Sequence, residues 1–422
     1  DLSGVPFPKA PAATNGPSFR SQNPSKDIAS IFAESLANRF GGNRLEELLL
    51  AECHPSTEAV ERICGAASSL GLRRLGLANN DLSREALGHV VRYLQSGSCE
   101  GIDLGGNDLN GNVDVLIPAM NSGNFLMALS LADCSLAPTD IHPLLHALVS
   151  MPNLLFVDLS HNPDLFSSQP DALSSLRRYL PKMPSLKRIH LANVDLSPDH
   201  AIALAEVLPE CPRLCHINIL ENPQIAKLAS ATDPASQEEA CAVYASLMAA
   251  TRVSRTLIAV DIEVPSAESN EVVKALASQI VAYSLRNLGA MEELGDSSPD
   301  RLPDVPIPEV LQHLVGGTDE VDDGSAPDED YVIGGTGVVK ALGVCLGNVD
   351  QHHPELGDLS RPSSGRSTPR PRMSTSIGSK KARDMSKNLL GSARNIRARI
   401  QMALVREDKA GNDNNYRTFP IL

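Results

Sequence analysis

The chain has 422 residues, enough by length for two or three globular domains. Hydrophobic residues make up 42% but aromatics only 3%, and Trp is absent, which excludes a core built on large rings. A formal net charge of −14 argues against nucleic acid as a partner, because a phosphate backbone is met by clustered Lys and Arg.

No stretch approaches the ~18 consecutive apolar residues of a membrane span. The start lacks the charged and apolar regions of a secretory signal, and it opens on Asp rather than Met, as a fragment would. Residues 1–26 are rich in Pro, Ser, Asn and Ala without a period and are expected to lack fixed structure. In 27–44, Ile28, Ile31, Phe32 and Leu36 fall at helical spacing before Gly41 and Gly42. That helix is expected to cap whatever follows.

From Leu45 to Ile262 the pattern L-x-x-L-x-L-x-x-[N/C] recurs. It reads LEELLLAEC from Leu45, LRRLGLANNDL from Leu72, CEGIDLGGNDL from Cys99 and LMALSLADCSL from Leu126. It continues as LLFVDLSHN from Leu154, LKRIHLANVDL from Leu186, LCHINILEN from Leu214 and LIAVDIEV from Leu257. Cys53, Asn80, Asn107 and Cys134 hold the ninth position, and Asn162 follows them. This spacing predicts a leucine-rich-repeat solenoid over 45–291, an α/β horseshoe with parallel strands on the concave face and helices on the convex face. Helices are predicted at Arg84–Gln95, Asp140–Val149, Asp171–Leu180 and Asp199–Leu208, with a closing helix over Asn270–Met291. Two departures from the repeat, Phe166–Pro170 and Gln224–Ser236, read as loop insertions.

Alternation along each strand turns the third, fifth and seventh pattern residues outward. Repeats two to four carry small residues there, leaving a bare strip that a partner's backbone can approach. Repeats five to seven present Phe156, Asp158, Arg188, His190, His216 and Asn218, a mixed aromatic and polar patch suited to a protein partner. The same residues also read as solvated strand positions. An open sheet neither excludes water nor perturbs pKa strongly, and no Ser or Cys stands beside a His at nucleophile spacing, so no catalytic residues are assigned. His142 and His146 have the i, i+4 spacing of zinc ligands but lack a third ligand, and no metal or cofactor is expected. The eight Cys show no framework spacing, which fits buried reduced thiols in a cytoplasmic protein.

Beyond the repeats, 292–330 holds 13 acids against Arg301 alone, a net of −12, and reads as an acidic linker. Residues 331–348 form an apolar island with Gly334-Gly-Thr-Gly337, read as a docking segment because the phosphate-loop pattern is incomplete. Residues 349–383 are Ser/Pro/Arg-rich. Within 384–406, Leu389, Ile396 and Ile400 lie on one helical stripe edged by Lys387, Arg394 and Arg397. Such a basic amphipathic helix fits an anionic membrane or cytoskeletal surface, a partner's groove, or the chain's own acidic linker. Residues 407–422 are expected to lack structure. Ser298 and Thr368, each followed by Pro, are candidate phosphorylation sites.

The repeats resemble the ribonuclease-inhibitor superfamily, which includes activators of the nuclear-transport GTPase and tropomodulin-type actin regulators. The GTPase activators use an Arg in an N-terminal repeat; Arg84 lies in LSREAL without their surrounding motif, so that role is not carried over. The tail, DYVIGGTGVVKALGVCLGN with SKNLLGSARNIRARIQ, looks like that of large fungal leucine-rich-repeat proteins named for microtubules, cell-wall biogenesis or protein phosphatase 1. The concave repeats and the tail together read as a non-catalytic interaction scaffold. An alternative is a regulatory subunit that holds a small GTPase or a phosphatase.

Overall fold

A computed structural model describes residues 1–7, 28–37, 45–167, 170–293, 395–396, 398–406 and 409. Eight three-residue strands form one parallel sheet in sequential order: β1 Glu47–Leu49, β2 Arg74–Gly76, β3 Gly101–Asp103, β4 Ala128–Ser130, β5 Phe156–Asp158, β6 Arg188–His190, β7 His216–Asn218 and β8 Ala259–Asp261. Register is kept throughout, so that Phe156 faces Arg188, which faces His216, while Asp158, His190 and Asn218 align beside them. The chain is thus the leucine-rich-repeat solenoid that its spacing implies.

Alternation explains why such short strands suffice. In the second repeat, around β2, the first, fourth and sixth pattern residues, Leu72, Leu75 and Leu77, point into the core and are essentially fully buried. Helices return the chain along the other side: α1 Ile28–Ala37, α2 Thr57–Leu70, α3 Arg84–Gln95, α4 Val113–Leu116, α5 Pro138–Leu148, α6 Pro170–Tyr179, α7 Pro198–Val207, α8 Pro223–Leu228, α9 Pro234–Val253 and α10 Glu271–Glu293. Their starts are written locally. Ser56 and Ser83 accept from the backbone N–H groups of Ala59 and Ala86, and Ser197 accepts from that of His200. Gly71, at φ 64°, ends α2 in the left-handed conformation that costs Gly least.

The ninth position is where one repeat is tied to the next. Asn107 is fully buried; its Oδ1 accepts from the N–H groups of Asn80 and Leu82, and its Nδ2 donates to Leu77 and Leu104 carbonyls. Asn162 and Asn222 repeat this pattern toward Leu136 and Leu196. Cys53 and Cys134 replace Asn with thiols directed at carbonyls, Cys134 at Leu104 O at 3.3 Å. Residues flanking the ninth position, such as Asn79 with Asp81 and Asp133 with Ser135, have positive φ. Short polar side chains tolerate that turn best.

Three expectations need correction. Residues 1–7, within the stretch expected to lack structure, run along the outer edge of β1: Leu2, Gly4 and Phe7 donate N–H bonds to Leu49, Ala51 and Cys53. An edge strand's unpaired backbone groups accept an added segment whatever its composition, and Phe7 packs edge-on against Phe32 of α1, centroids 5.4 Å apart. The insertion at Gln224–Ser236 contains α8 and the start of α9 rather than an open loop. The strip over repeats two to four is not bare. The Leu49 side chain lies across Gly76, where an added Cβ would come within 2.8 Å of it, and the Arg74 stem lies across Gly101. Neighbouring side chains lean over the glycines and fill the space.

At the far end α10 packs on α9, and the fully buried Asn287 donates to the carbonyls of Thr251 and Leu257. Among the described residues, no helix is long and apolar enough to cross a membrane.

Candidate functional site

Six side chains singled out by the outward columns fall on three neighbouring strands. Phe156 is on β5, His190 on β6 and His216 on β7. Their rings stand edge to face in a zigzag across the three strands, with centroids 4.9 Å and then 5.2 Å apart. Aromatic rings in this geometry meet through positive edge and negative face, a rigid arrangement for contact. Carboxylates flank the row. His216 Nε2 lies 2.7 Å from Asp261 Oδ2, and His190 Nδ1 lies 3.5 Å from Asp158 Oδ2. Arg188 is exposed beside them.

The electrostatics are local. Burial pushes the Asp158 carboxyl up, but the His190 imidazole and the Ser160 donors outweigh it and hold the group below the ordinary carboxylate range. His190 Nε2 is buried without a hydrogen bond, so the ring is fixed by packing and by Asp158. Asp261, a fifth-position residue outside the six singled out, belongs to this cluster. Its contact with His216 is diagonal across β7 and β8.

Part of the patch is architectural. Asp158 Oδ1 accepts from Ser160 N–H, and Asn218 Oδ1 accepts from Leu220 N–H. Asp103 does the same toward Gly105 in a repeat outside the patch. The fifth-position Asp or Asn therefore closes the turn after the strand, as such side chains do generally. Phe156, Arg188, His190 and His216 have no such duty.

Other candidates resolve differently. His142 and His146 stand edge-on to Tyr179, centroids 5.5 Å and 5.8 Å away, and His142 Nδ1 is 3.1 Å from Ser175 Oγ. Among the described residues no cluster of three metal-ligating side chains exists. Arg84 is held by Asp114, with Asn112 and the Gly111 carbonyl nearby. The described cysteines are all free thiols.

In the tail, residues 395–396 and 398–406 are helical, and we call this helix α11. Ile396 and Ile400 are buried, with Ala403 and Leu404, as part of the same core as the repeats. Arg399 pairs with Glu239 of α9 and stands 3.7 Å from Asp199 of α7, and Arg406 reaches Asp199 at 2.8 Å. The described part of the expected apolar stripe is thus turned onto the solenoid. Lys387, Leu389, Arg394, Arg397, Ser298 and Thr368 lie outside the described residues, as does the 331–348 island.

These features define the chain's class by its fold, a leucine-rich-repeat solenoid. Its residues 17–222 match the family described as the MHP1/HER1/GIP3 LRR domain. It is 26% identical over 272 residues to MAP-homologous protein 1 of Saccharomyces cerevisiae, covering 61% of this chain and 18% of that protein. To HMG2-induced ER-remodeling protein 1 of the same yeast it is 27% identical over 290 residues, covering 64% and 22%. A 91-residue stretch is 31% identical to protein NLRC5 of Ictalurus punctatus, covering 22% of this chain and 5% of that protein. The chain therefore spans about a fifth of the length of the two yeast relatives. Among solved structures, a Caenorhabditis elegans tropomodulin C-terminal domain aligns at a TM-score of 0.34 and 14% identity, covering 44% of this chain and 99% of that one.

Proposed function

We propose that this protein is a non-catalytic interaction scaffold of the cytoplasm whose concave patch on β5–β8 selects a protein partner. The leucine-rich-repeat fold supports the general reading, since such solenoids offer extended concave binding surfaces. The observation that carries the specific one is the row Phe156–His190–His216, set rigidly edge to face beside exposed Arg188. Aromatic and Arg side chains on a preorganised surface lose little entropy on binding and recur at energetic hot spots. The buried free thiols support a reducing compartment.

The test is affinity capture from cell lysate with the full chain as bait, read by quantitative mass spectrometry beside the Arg188→Ala/His216→Ala variant. A protein recovered by the native chain and lowered about tenfold or more with the variant is expected, from ~1–2 kcal/mol at hot-spot positions. Equal recovery would remove the patch as the binding site.

A second element of the proposal is that α11 attaches the scaffold to an anionic membrane surface when exposed. Its support is the alternation of buried Ile396 and Ile400 with the basic side chains of Arg399 and Arg406.

A further inference from the structure

We propose that the outer faces of α7 and α9 form a receptor for a basic amphipathic helix, which the chain's own α11 occupies in cis as a reversible, salt-sensitive latch. The inference does not depend on the concave patch or on membrane attachment.

The occupant's fit rests on shape and charge together. Ile396, Ile400, Ala403 and Leu404 follow i, i+4, i+7, i+8 spacing, and all four are buried. Met402 and Val405, on the other side of the helix, remain about half exposed. Arg399 and Arg406 are two helical turns apart and converge on a carboxylate pair, Asp199 and Glu239, that the two receptor helices contribute separately. A helix placed elsewhere, or in the opposite direction, would not bring both guanidinium groups to these acids.

The receptor helices are written for a cover. A convex helix of a solenoid ordinarily has one wet face. In α7, every residue from Ala201 to Val207 is buried, and in α9 every residue from Ala240 to Thr251. Seven consecutive positions span nearly two turns, so burial there goes all the way round.

The same details make docking reversible. Asp199 sits in the first turn of α7, where the helix dipole favours an acid with or without an arginine nearby. The clasp is ionic more than hydrogen-bonded on one side, since Asp199 Oδ1 and Arg399 Nε are buried without hydrogen bonds. A helix of about three turns is marginal alone in water, so undocking and loss of helix go together. About a hundred residues of sequence separate Glu293 from Asn395, a tether long enough to permit release yet keep the local concentration of the helix high.

The experiment uses the full chain with a specific protease site inserted between residues 349 and 360, cleaved after folding and passed over a sizing column at increasing salt. We expect the C-terminal piece to remain with the solenoid at low salt and to separate at high salt. Arg399→Glu with Arg406→Glu, a change confined to the tail, should weaken retention at least tenfold. Adding Asp199→Lys and Glu239→Lys to that variant should restore most of it. Separation of the native piece at low salt would overturn the latch, as would equal retention of the Arg399→Glu/Arg406→Glu piece. A melting curve of each cleaved protein confirms that the solenoid itself is intact.

Discussion

Asn107 and Asn80 are joined across a repeat boundary: the side-chain oxygen of the first accepts the backbone N–H of the second at 3.1 Å, with both groups out of contact with water. The same carboxamide serves Leu82, Leu77 and Leu104. Asn107→Ala leaves several backbone groups buried without partners, at ~1–3 kcal/mol for each that no water reaches. A loss of about 3 kcal/mol is expected by urea unfolding, more than for removal of any exposed concave side chain. A loss below about 1 kcal/mol would mean that the ladder is replaceable by water.

Asp158 sets a pH dependence with a defined sign. Its folded carboxyl lies below the ordinary value, so folding favours the charged form. The resulting stability is fully present above the unfolded pKa of ~3.9 and is lost as pH falls through the lower folded value. Between about pH 5 and about pH 3, the native chain should therefore lose stability more steeply than Asp158→Asn. Melting temperatures of the two across that window decide it, and parallel curves would contradict the assignment.

Thiol reactivity should separate the cysteines by depth. Burial pushes Cys64, Cys134 and Cys211 up to about 12 and Cys99 and Cys241 to about 11. Cys215 is half-buried and raised less. In a Cys345→Ser background at neutral pH, Cys215 is expected to react first with an aromatic disulfide reagent, and the deep thiols only after denaturant. Early labelling of Cys134, mapped by peptide mass, would show that the ninth-position turn opens readily.

Release of α11 should be visible at a membrane. Asp199→Lys/Glu239→Lys leaves the tail sequence untouched while removing both of its acidic partners. Sedimentation with phosphatidylserine-containing vesicles should rise several-fold over the native chain and fall again in high salt. No rise, in a variant whose tail separates on cleavage, would reject membrane attachment and leave the latch standing.

The repeat spacing carried most of the architecture. A nine-residue pattern fixes which residues face in, and every third and fifth column residue named from sequence lies in a strand. The candidate patch followed from the same columns, because register in a solenoid is set by the repeat. Asp261 stood in the fifth column and near the histidines in sequence register, but its 2.7 Å contact with His216 is a side-chain geometry that spacing does not specify. The Leu2–Phe7 pairing with β1 was illegible because backbone augmentation leaves no side-chain signature. For α11 the sequence supplied the amphipathic stripe but not its address. The small and apolar runs Ala201–Ala205 in α7 and Ala240–Ala250 in α9 leave no polar face for water.

Because every strand pairs with the next at the same pattern position, the concave surface works as a ruler ticked at the inter-strand spacing. Ticks about 4.8 Å apart put the β5-to-β7 interval at roughly 10 Å, the reach of about three extended residues or about six or seven helical ones. A partner whose contacts keep that pitch can engage Phe156, His190 and His216 at once. One with a different pitch drifts out of step after the first tick, so selectivity can reside in spacing as much as in chemistry.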